Sequence, residues 1–164
     1  MKFGKYIEEV LKPFLLLLKC SCIFFLVFAL LLSSCTKNRK VITSFYYWKT
    51  VYKTNKIESD YVHHFNAHKL YMRIMDIDMD PDLQFPAPVS PIVFKDKLPD
   101  TLQIVPIVFI VNDILKTLSK TQLTDLANKI IPYVNSKVNQ AGKNTYNELQ
   151  IDCDWTAATR DSYF

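Results

Sequence analysis

The chain has 164 residues, of which 49% are hydrophobic and 13% aromatic, and it contains only two glycines. This composition is typical of one globular domain with an appended segment, and it excludes a chain that is disordered over most of its length. The formal charge of +4 falls to +2 when the residues before Cys35 are set aside, because 16 basic and 14 acidic residues remain. Such a balanced and scattered charge argues against nucleic acid as a partner.

Residues 1–35 have the pattern of a bacterial lipoprotein signal. A basic start leads into a 13-residue run, Cys20 to Leu32, in which only Ser21 is polar. The run ends in Leu-Ser-Ser-Cys, which resembles the lipobox whose cysteine is acylated and becomes the new N-terminus. We therefore predict a hydrophobic signal helix, lipidation of Cys35, and a location at a membrane of the bacterial cell envelope, facing the periplasm or the exterior. The alternative is a transmembrane anchor, since the 19 residues from Phe14 to Leu32 are long enough to span a bilayer.

Residues 36–40 are polar and basic, and we predict that they form a short tether between the lipid and the domain. Cys153 is the only cysteine after Cys35, so no disulfide is expected within the mature chain. Its place on an apolar strand face predicts a buried thiol rather than a nucleophile.

Hydrophobic periodicity predicts strands that alternate with helices over residues 41–164. Strands are predicted at Val41–Trp48, Leu70–Asp78, Leu102–Val111 and Leu149–Trp155, and helices at Ile57–Lys69, at Thr121–Ala141 and from Thr156. A long proline-rich connection, with prolines at 81, 86, 88, 91 and 99, is predicted to be a loop over the mouth or flank of the domain.

Three histidines, at positions 63, 64 and 68, fall on the first predicted helix. His64 and His68 have the i, i+4 spacing at which two imidazoles can share a metal ion, but no further ligand follows in a known zinc pattern. We therefore expect solvated histidines, no metal site and no cofactor.

The second predicted strand carries a cation within an apolar run. Leu70, Met72 and Ile74 share one face, which leaves Arg73 on the other. An arginine is not buried beneath helices without a partner, so we predict that Arg73 points away from the helices and meets Asp152.

Four aspartates at alternate positions, Asp76 to Asp82, close this strand. An EF-hand loop counted from Asp76 would need Gly and Glu where the chain has Pro81 and Ala87, so that motif is excluded. An exposed loop is expected by default, and a looser cation site is the alternative.

The third predicted strand is apolar throughout, which predicts burial on both faces. Pro106 within it forfeits a ladder donor and predicts an edge strand or a bulge. Asn112 and Asp113 are expected to cap the segment after this strand. In the helix at Thr121–Ala141, Gly142 is a good stop and Pro132 is expected to cause a bend.

The fourth predicted strand has one apolar and one polar face. Gln150, Asp152 and Asp154 share the polar face, whereas Cys153 and Trp155 lie on the apolar one. Alternation of strands and helices predicts an α/β fold with a parallel sheet. We interpret it as half of a TIM-type β/α barrel with about four parallel strands. Only 129 residues remain when the first 35 are subtracted from 164, against about 250 for a complete barrel. Open sheet edges would favour self-association.

Three stretches carry a family resemblance. Phe45 to Lys49, the strand at Leu70–Asp78 and the segment Leu149–Thr156 resemble the N-terminal half of an uncharacterised family of bacterial lipoproteins with a glycoside-hydrolase-like β/α barrel. The last segment is also similar to the Asp-x-Asp-x-Glu strand of chitinase-type hydrolases, although Thr156 stands where that motif has its acidic Glu.

This resemblance implies a carbohydrate-processing barrel. The candidate site residues are Asp152 and Asp154 as catalytic carboxylates, with substrate contacts from Trp48, Tyr46, Arg73, Asp76 and Asp78. Because Thr156 cannot protonate a leaving group, we favour a non-catalytic or truncated envelope lipoprotein that binds a glycan or another protein. The alternative is a glycoside hydrolase that uses the Asp152 and Asp154 strand end.

Overall fold

A computed structural model describes residues 41–82 and 84–164. The strands are β1 (Ser44–Tyr47), β2 (Val51–Tyr52), β3 (Lys69–Asp80), β4 (Phe85–Val89), β5 (Val93–Phe94), β6 (Gln103–Ile110) and β7 (Gln150–Asp152). The helices are α1 (Lys56–His64), α2 (Asn112–Thr117), α3 (Lys120–Gln140) and α4 (Arg160–Tyr163). The predicted signal helix, the lipidation site Cys35 and the tether lie outside the described residues.

The main sheet is mostly parallel. Strands β1, β3, β6 and β7 lie side by side in chain order, and each is parallel to its neighbour. The prediction of an α/β fold with about four parallel strands is therefore confirmed. Among the described residues these strands form an open sheet, not a closed barrel.

The prediction that the proline-rich segment is a loop is wrong, because the segment forms two strands. β4 pairs antiparallel with the second half of β3, and β5 pairs with β2 in a separate two-stranded sheet. β6 occupies one side of β3. On the other side β1 pairs with the first half of β3 and β4 with the second half, so β4 extends the sheet edge beyond the end of β1. Pro86 and Pro88 are tolerated there because alternate residues of an edge strand direct their N–H positions away from the ladder.

Pro106 predicts an edge strand or a bulge, yet β6 lies between β3 and β7. The pairing of β6 with β7 begins only at Ile107, one residue after the proline. Pro106 is therefore in the part of β6 that has one neighbour, where a missing donor removes no hydrogen bond to β7.

A register shift in β3 lies between Arg73 and Met75. Strand alternation predicts that Met75 shares a face with Arg73, but the extra residue turns it into the core, where it is 1% exposed. Asp76 takes the place that Met75 would have had. Arg73 and Asp76 consequently lie on the same face although they are three residues apart.

Helix α1 is shorter than predicted. It ends at His64, and Asn66 has φ = 48°, a left-handed conformation that asparagine adopts more readily than most residues. His68 therefore lies beyond the helix, so the i, i+4 spacing of His64 and His68 does not place them on one helix. The N-cap is Asn55, whose side chain accepts hydrogen bonds from Ile57 and Glu58.

Helix α3 agrees with the sequence prediction. Ser119 caps it in a reciprocal capping box with Gln122, and Gly142 follows its end at φ = 82°. Its apolar residues Leu126, Ile130, Val134 and Val138 are buried.

Asn112 was predicted as a cap, but its side chain accepts a hydrogen bond of 2.5 Å from the Thr159 hydroxyl, and the N-cap of α2 is Val111. None of the helices in the described residues is long and apolar enough to cross a membrane.

The core lies on one face of the sheet. Met72, Ile77 and Val108 contribute to one buried cluster together with Val134 and Val138 of α3. The apolar face of the sheet is therefore buried against α3. The residues of this cluster do not extend to the opposite face.

Candidate functional site

The face of the main sheet opposite α3 carries most of the predicted site residues, and we call it the open face. It is defined by Tyr46, Trp48, Tyr71, Arg73, Asp76, Gln150 and Asp152. Residues that pair across parallel strands point to the same face, so the register places these side chains in rows. One row is Tyr46, Tyr71 and Val105, the next is Arg73, Ile107 and Gln150, and the third is Asp76, Phe109 and Asp152.

The open face is concave. The hydroxyl of Tyr46 on β1 donates a hydrogen bond of 3.3 Å to the side-chain oxygen of Gln150 on β7, although two strands lie between them. Beneath this contact Val105 and Ile107 are buried without belonging to the main core cluster. Large polar side chains from neighbouring strands therefore cover the floor of the open face.

Three aromatic rings stack at one side of the open face. Tyr46 lies between Trp48 and Tyr71, with centroid distances of 5.7 and 5.0 Å and interplanar angles of 7° and 28°. Alternation along the first strand puts Tyr46 and Trp48 on the same face. Trp48 is at the outer end of the stack and is 51% exposed, so its indole is an accessible apolar surface.

Glu148 joins this stack to a charged group. Its carboxylate accepts a hydrogen bond of 2.8 Å from the Tyr71 hydroxyl and forms an ion pair of 2.6 Å with Lys69. The hydrogen bonds from Lys69 and Tyr71 lower the pKa of Glu148, and the same carboxylate raises the pKa of Lys69 and of Tyr71. Sequence reasoning missed these roles, although Glu148 has the same strand parity as Gln150 and Asp152.

The predicted contact between Arg73 and Asp152 is wrong. Arg73 forms an ion pair with Asp76, and its Nε donates to Asp76 Oδ1 at 2.5 Å. The bulge in β3 explains the difference, because it brings Asp76 onto the face of Arg73 within a single strand. Arg73 does point away from the helices, as predicted, and its side chain is 24% exposed.

The acidic candidates lie apart from one another. Asp152 shares a row with Asp76, but Phe109 stands between them, which separates their Cα atoms by about 10 Å, or two strand spacings. Asp154 is exposed and follows the end of β7. Asp78 accepts a hydrogen bond of 2.7 Å from the backbone N–H of Met79. The side-chain carboxylates of Asp152 and Asp154 form no hydrogen bond or ion pair with another described residue.

The other face of the fourth strand is only partly as predicted. Cys153 is buried, as expected, and its pKa is raised by burial first and by the neighbouring carboxylates of Asp154 and Asp152 second. Trp155, predicted on the buried face, is 43% exposed, because β7 ends at Asp152. Thr156 donates its backbone N–H to the Thr159 hydroxyl at 2.9 Å.

A pocket of about 470 Å³, which sequence reasoning did not predict, lies along β1. Five consecutive residues, Phe45 to Lys49, line it on one side, and Glu58, Tyr61 and Val62 of α1 line it on the other. Leu70 of β3, together with Pro99 and Leu102 of the segment before β6, completes the lining, so the pocket extends from β1 and α1 towards the start of β6. The only sequence signal for it is the unbroken aromatic run at residues 45–48. Across the described part of the chain, no three His, Cys, Asp or Glu side chains are grouped to hold a metal ion.

The chain was compared with family models, with curated proteins and with solved structures, and none of them matches it.

Proposed function

We propose that this chain is a lipid-anchored protein of the bacterial cell envelope whose open face binds carbohydrate without cleaving it. In this proposal the parallel sheet is half of a TIM-type barrel, and the open face corresponds to the interior of such a barrel. The fold supports this reading through its four parallel strands in chain order, with the core on one face.

The aromatic stack carries the proposal. A sugar ring presents C–H groups on its faces and hydroxyls around its rim, so it is recognised by an exposed aromatic surface beside hydrogen-bonding groups. Trp48 supplies the surface, held by Tyr46 and Tyr71 behind it. Arg73, Asp76 and Gln150, in neighbouring rows, supply donors and acceptors for hydroxyls.

A glycoside hydrolase is the second candidate, favoured by the row that contains Asp76 and Asp152. Carboxyl groups roughly 5 to 10 Å apart flank the bond in most such enzymes, and these two side chains face the same concave surface. However, Asp76 is held in an ion pair by Arg73, whereas hydrolysis needs two carboxyl groups that are both free to act on the substrate. Asp154 and Thr156 offer no substitute acid that is buried. Binding without turnover is therefore the better match.

A carbohydrate array, read beside hydrolysis assays on chromogenic glycosides, tests the proposal. We expect glycan binding by the wild type, loss of at least about tenfold in affinity for Trp48→Ala, which equals about 1.4 kcal/mol, and no hydrolysis. Trp155→Ala is the matched control, since it removes a similarly exposed tryptophan outside the open face. Hydrolysis by the wild type that is abolished in Asp152→Asn would show that the protein is a glycoside hydrolase rather than a binding protein. The absence of both glycan binding and hydrolysis would overturn both candidate functions.

The membrane anchor is tested separately. Labelling with a radioactive fatty acid should mark the wild type and leave Cys35→Ala unlabelled, because only the cysteine after the small residues is expected to be acylated. Undiminished label in the variant would contradict lipidation at Cys35.

A further inference from the structure

The open face carries a net negative charge. Of the seven residues that define it, one is a cation, Arg73, and two are carboxylates, Asp76 and Asp152, which gives −1 at neutral pH. The whole chain after Cys35 carries +2 instead. The open face therefore differs in sign from the chain as a whole, and it attracts positively charged ligands more than negatively charged ones.

The cations on this side of the sheet are already paired. In the described strands of the main sheet, the only lysine and arginine residues are Lys69 and Arg73, both in β3. Arg73 donates two hydrogen bonds to the Asp76 carboxylate, and Lys69 forms its ion pair with Glu148. A carboxylate, phosphate or sulfate group on a ligand would have to displace Asp76 or Glu148. An anionic sugar is therefore a poor match for the open face.

Asp152 is a carboxylate that has no such partner. It is half-buried on β7, and its side chain forms no hydrogen bond or ion pair with another described residue. Strand alternation places it on the same face as Gln150 and about 7 Å further along β7. Gln150 is the residue that the Tyr46 hydroxyl contacts from the aromatic stack. The acceptor oxygens of Asp152 are therefore available to a ligand that lies beside this contact.

The opposite side of the open face suits the same kind of ligand. The indole of Trp48 is 51% exposed, and the face of an aromatic ring attracts positive charge as well as the C–H groups of a sugar. β1 and β7 are separated by three strand spacings, or about 14 Å. A ligand that both stacks on Trp48 and reaches Asp152 is therefore an oligosaccharide rather than a single sugar.

We propose that the ligand of the open face is an oligosaccharide of amino sugars with free ammonium groups, one ring of which stacks on Trp48 while the ammonium group of another binds Asp152. This inference rests on the proposed function and adds the class of sugar that the open face selects. An ammonium group adds Coulomb attraction to the hydrogen bond that a sugar hydroxyl could also donate, so the carboxylate favours the charged sugar. The carboxylate of a uronic acid in the same place would be repelled by Asp152.

Two tetrasaccharides of the same linkage test this inference. The β-linked tetramers of glucosamine and of glucose differ only in the group at the second carbon of each ring, which is an ammonium group in one and a hydroxyl in the other. Each is titrated by calorimetry into the full-length chain in nanodiscs of net-neutral phosphatidylcholine, at a mildly acidic pH that keeps the amines protonated. Asp152→Asn removes the proposed partner. Asp125→Asn removes the same charge from an exposed position on α3, on the opposite side of the sheet, and is the matched control.

We expect the wild type and Asp125→Asn to bind the glucosamine tetramer at least about fivefold more tightly than the glucose tetramer, which is the effect of one ion pair in water. This ratio of affinities should fall towards one in Asp152→Asn, and also in the wild type as salt is added, because salt screens exposed charges. The salt titration needs no variant, so it decides the question if Asp152→Asn does not fold.

Equal binding of the two tetramers by the wild type, a ratio that is unchanged in Asp152→Asn or at high salt, or no binding of the glucosamine tetramer would overturn this inference. Glycan binding by the open face would still stand if the carbohydrate array shows a neutral ligand that Trp48→Ala no longer binds. The failure of this inference is therefore distinguishable from the failure of the proposed function.

Discussion

The two faces of the parallel sheet are built from the same strands, yet they differ in what covers them. On the covered face Met72 and Val108 are fully buried and pack with Val134 of α3. On the open face Tyr46 and Trp48 are about half exposed. The stability of this fold therefore comes mainly from one face, because buried apolar area supplies most of the favourable free energy of folding. The other face is thereby free to carry charges and aromatic rings.

Truncation on the covered face should produce the largest effect. Met72→Ala removes a side chain that is 0% exposed, and we expect a loss of about 2 to 5 kcal/mol in the free energy of unfolding. Trp48→Ala on the open face should cost less, about 0.5 to 1.5 kcal/mol, the value of its stacking contact. Chemical denaturation of residues 36–164, which include the compact unit Ile42–Phe164, measures both. Equal losses would show that the two faces do not differ in this way.

A smaller loss is expected from the ion pair on the open face. Arg73→Met leaves the Asp76 carboxylate, which is 19% exposed, without its partner, and should lower the free energy of unfolding by about 1 to 3 kcal/mol. Replacing Asp76 by Leu as well should recover part of this loss, since no charge is then left unpaired. The matched control is Lys56→Met, which breaks an i, i+4 ion pair with Asp60 whose partners are 86% and 62% exposed, and which should cost less than about 0.5 kcal/mol. Equal effects in the two variants would mean that Arg73 is solvated.

The smallest effect is expected at Glu148, and it depends on pH. The folded chain lowers the pKa of this carboxyl, so its ionised form stabilises the fold above the pKa of the unfolded chain, about 4.3. That contribution is lost as the pH falls through the lower folded pKa. Glu148→Gln should therefore be slightly less stable than the wild type at neutral pH and equally stable in strong acid. A difference that grows as the pH falls would have the wrong sign.

The covered face could be predicted from the sequence better than the open one. The helical repeat from Leu126 to Val138 and the apolar strands depend on local periodicity, which reports burial directly. The bulge beside Arg73 cannot be predicted from periodicity, because one extra residue changes the partner of the arginine without altering the composition of the strand. Its only signal is Ile74 and Met75, two apolar neighbours that both need burial. In the same way, Glu148 gains its role from Lys69 and Tyr71, which are 79 and 77 residues away in the chain.

Proline rules are also too strict when they are applied to sequence alone. Pro86, Pro88 and Pro106 predict interruptions of regular strands, but each lies where no ladder partner is lost. Whether a proline disrupts a sheet depends on which neighbouring strand begins where, and this is a property of the tertiary fold.

Carbohydrate binding on the open face, through the aromatic stack that ends in Trp48, can be measured directly by hydroxyl-radical footprinting. The full chain is oxidised with and without the glycan that binds best on the array. We expect the glycan to protect Trp48 and Tyr46 from oxidation and to leave Trp155, as well as Tyr61 of α1, unchanged. Protection of Trp155 or Tyr61 with no change at Trp48 would contradict binding on the open face.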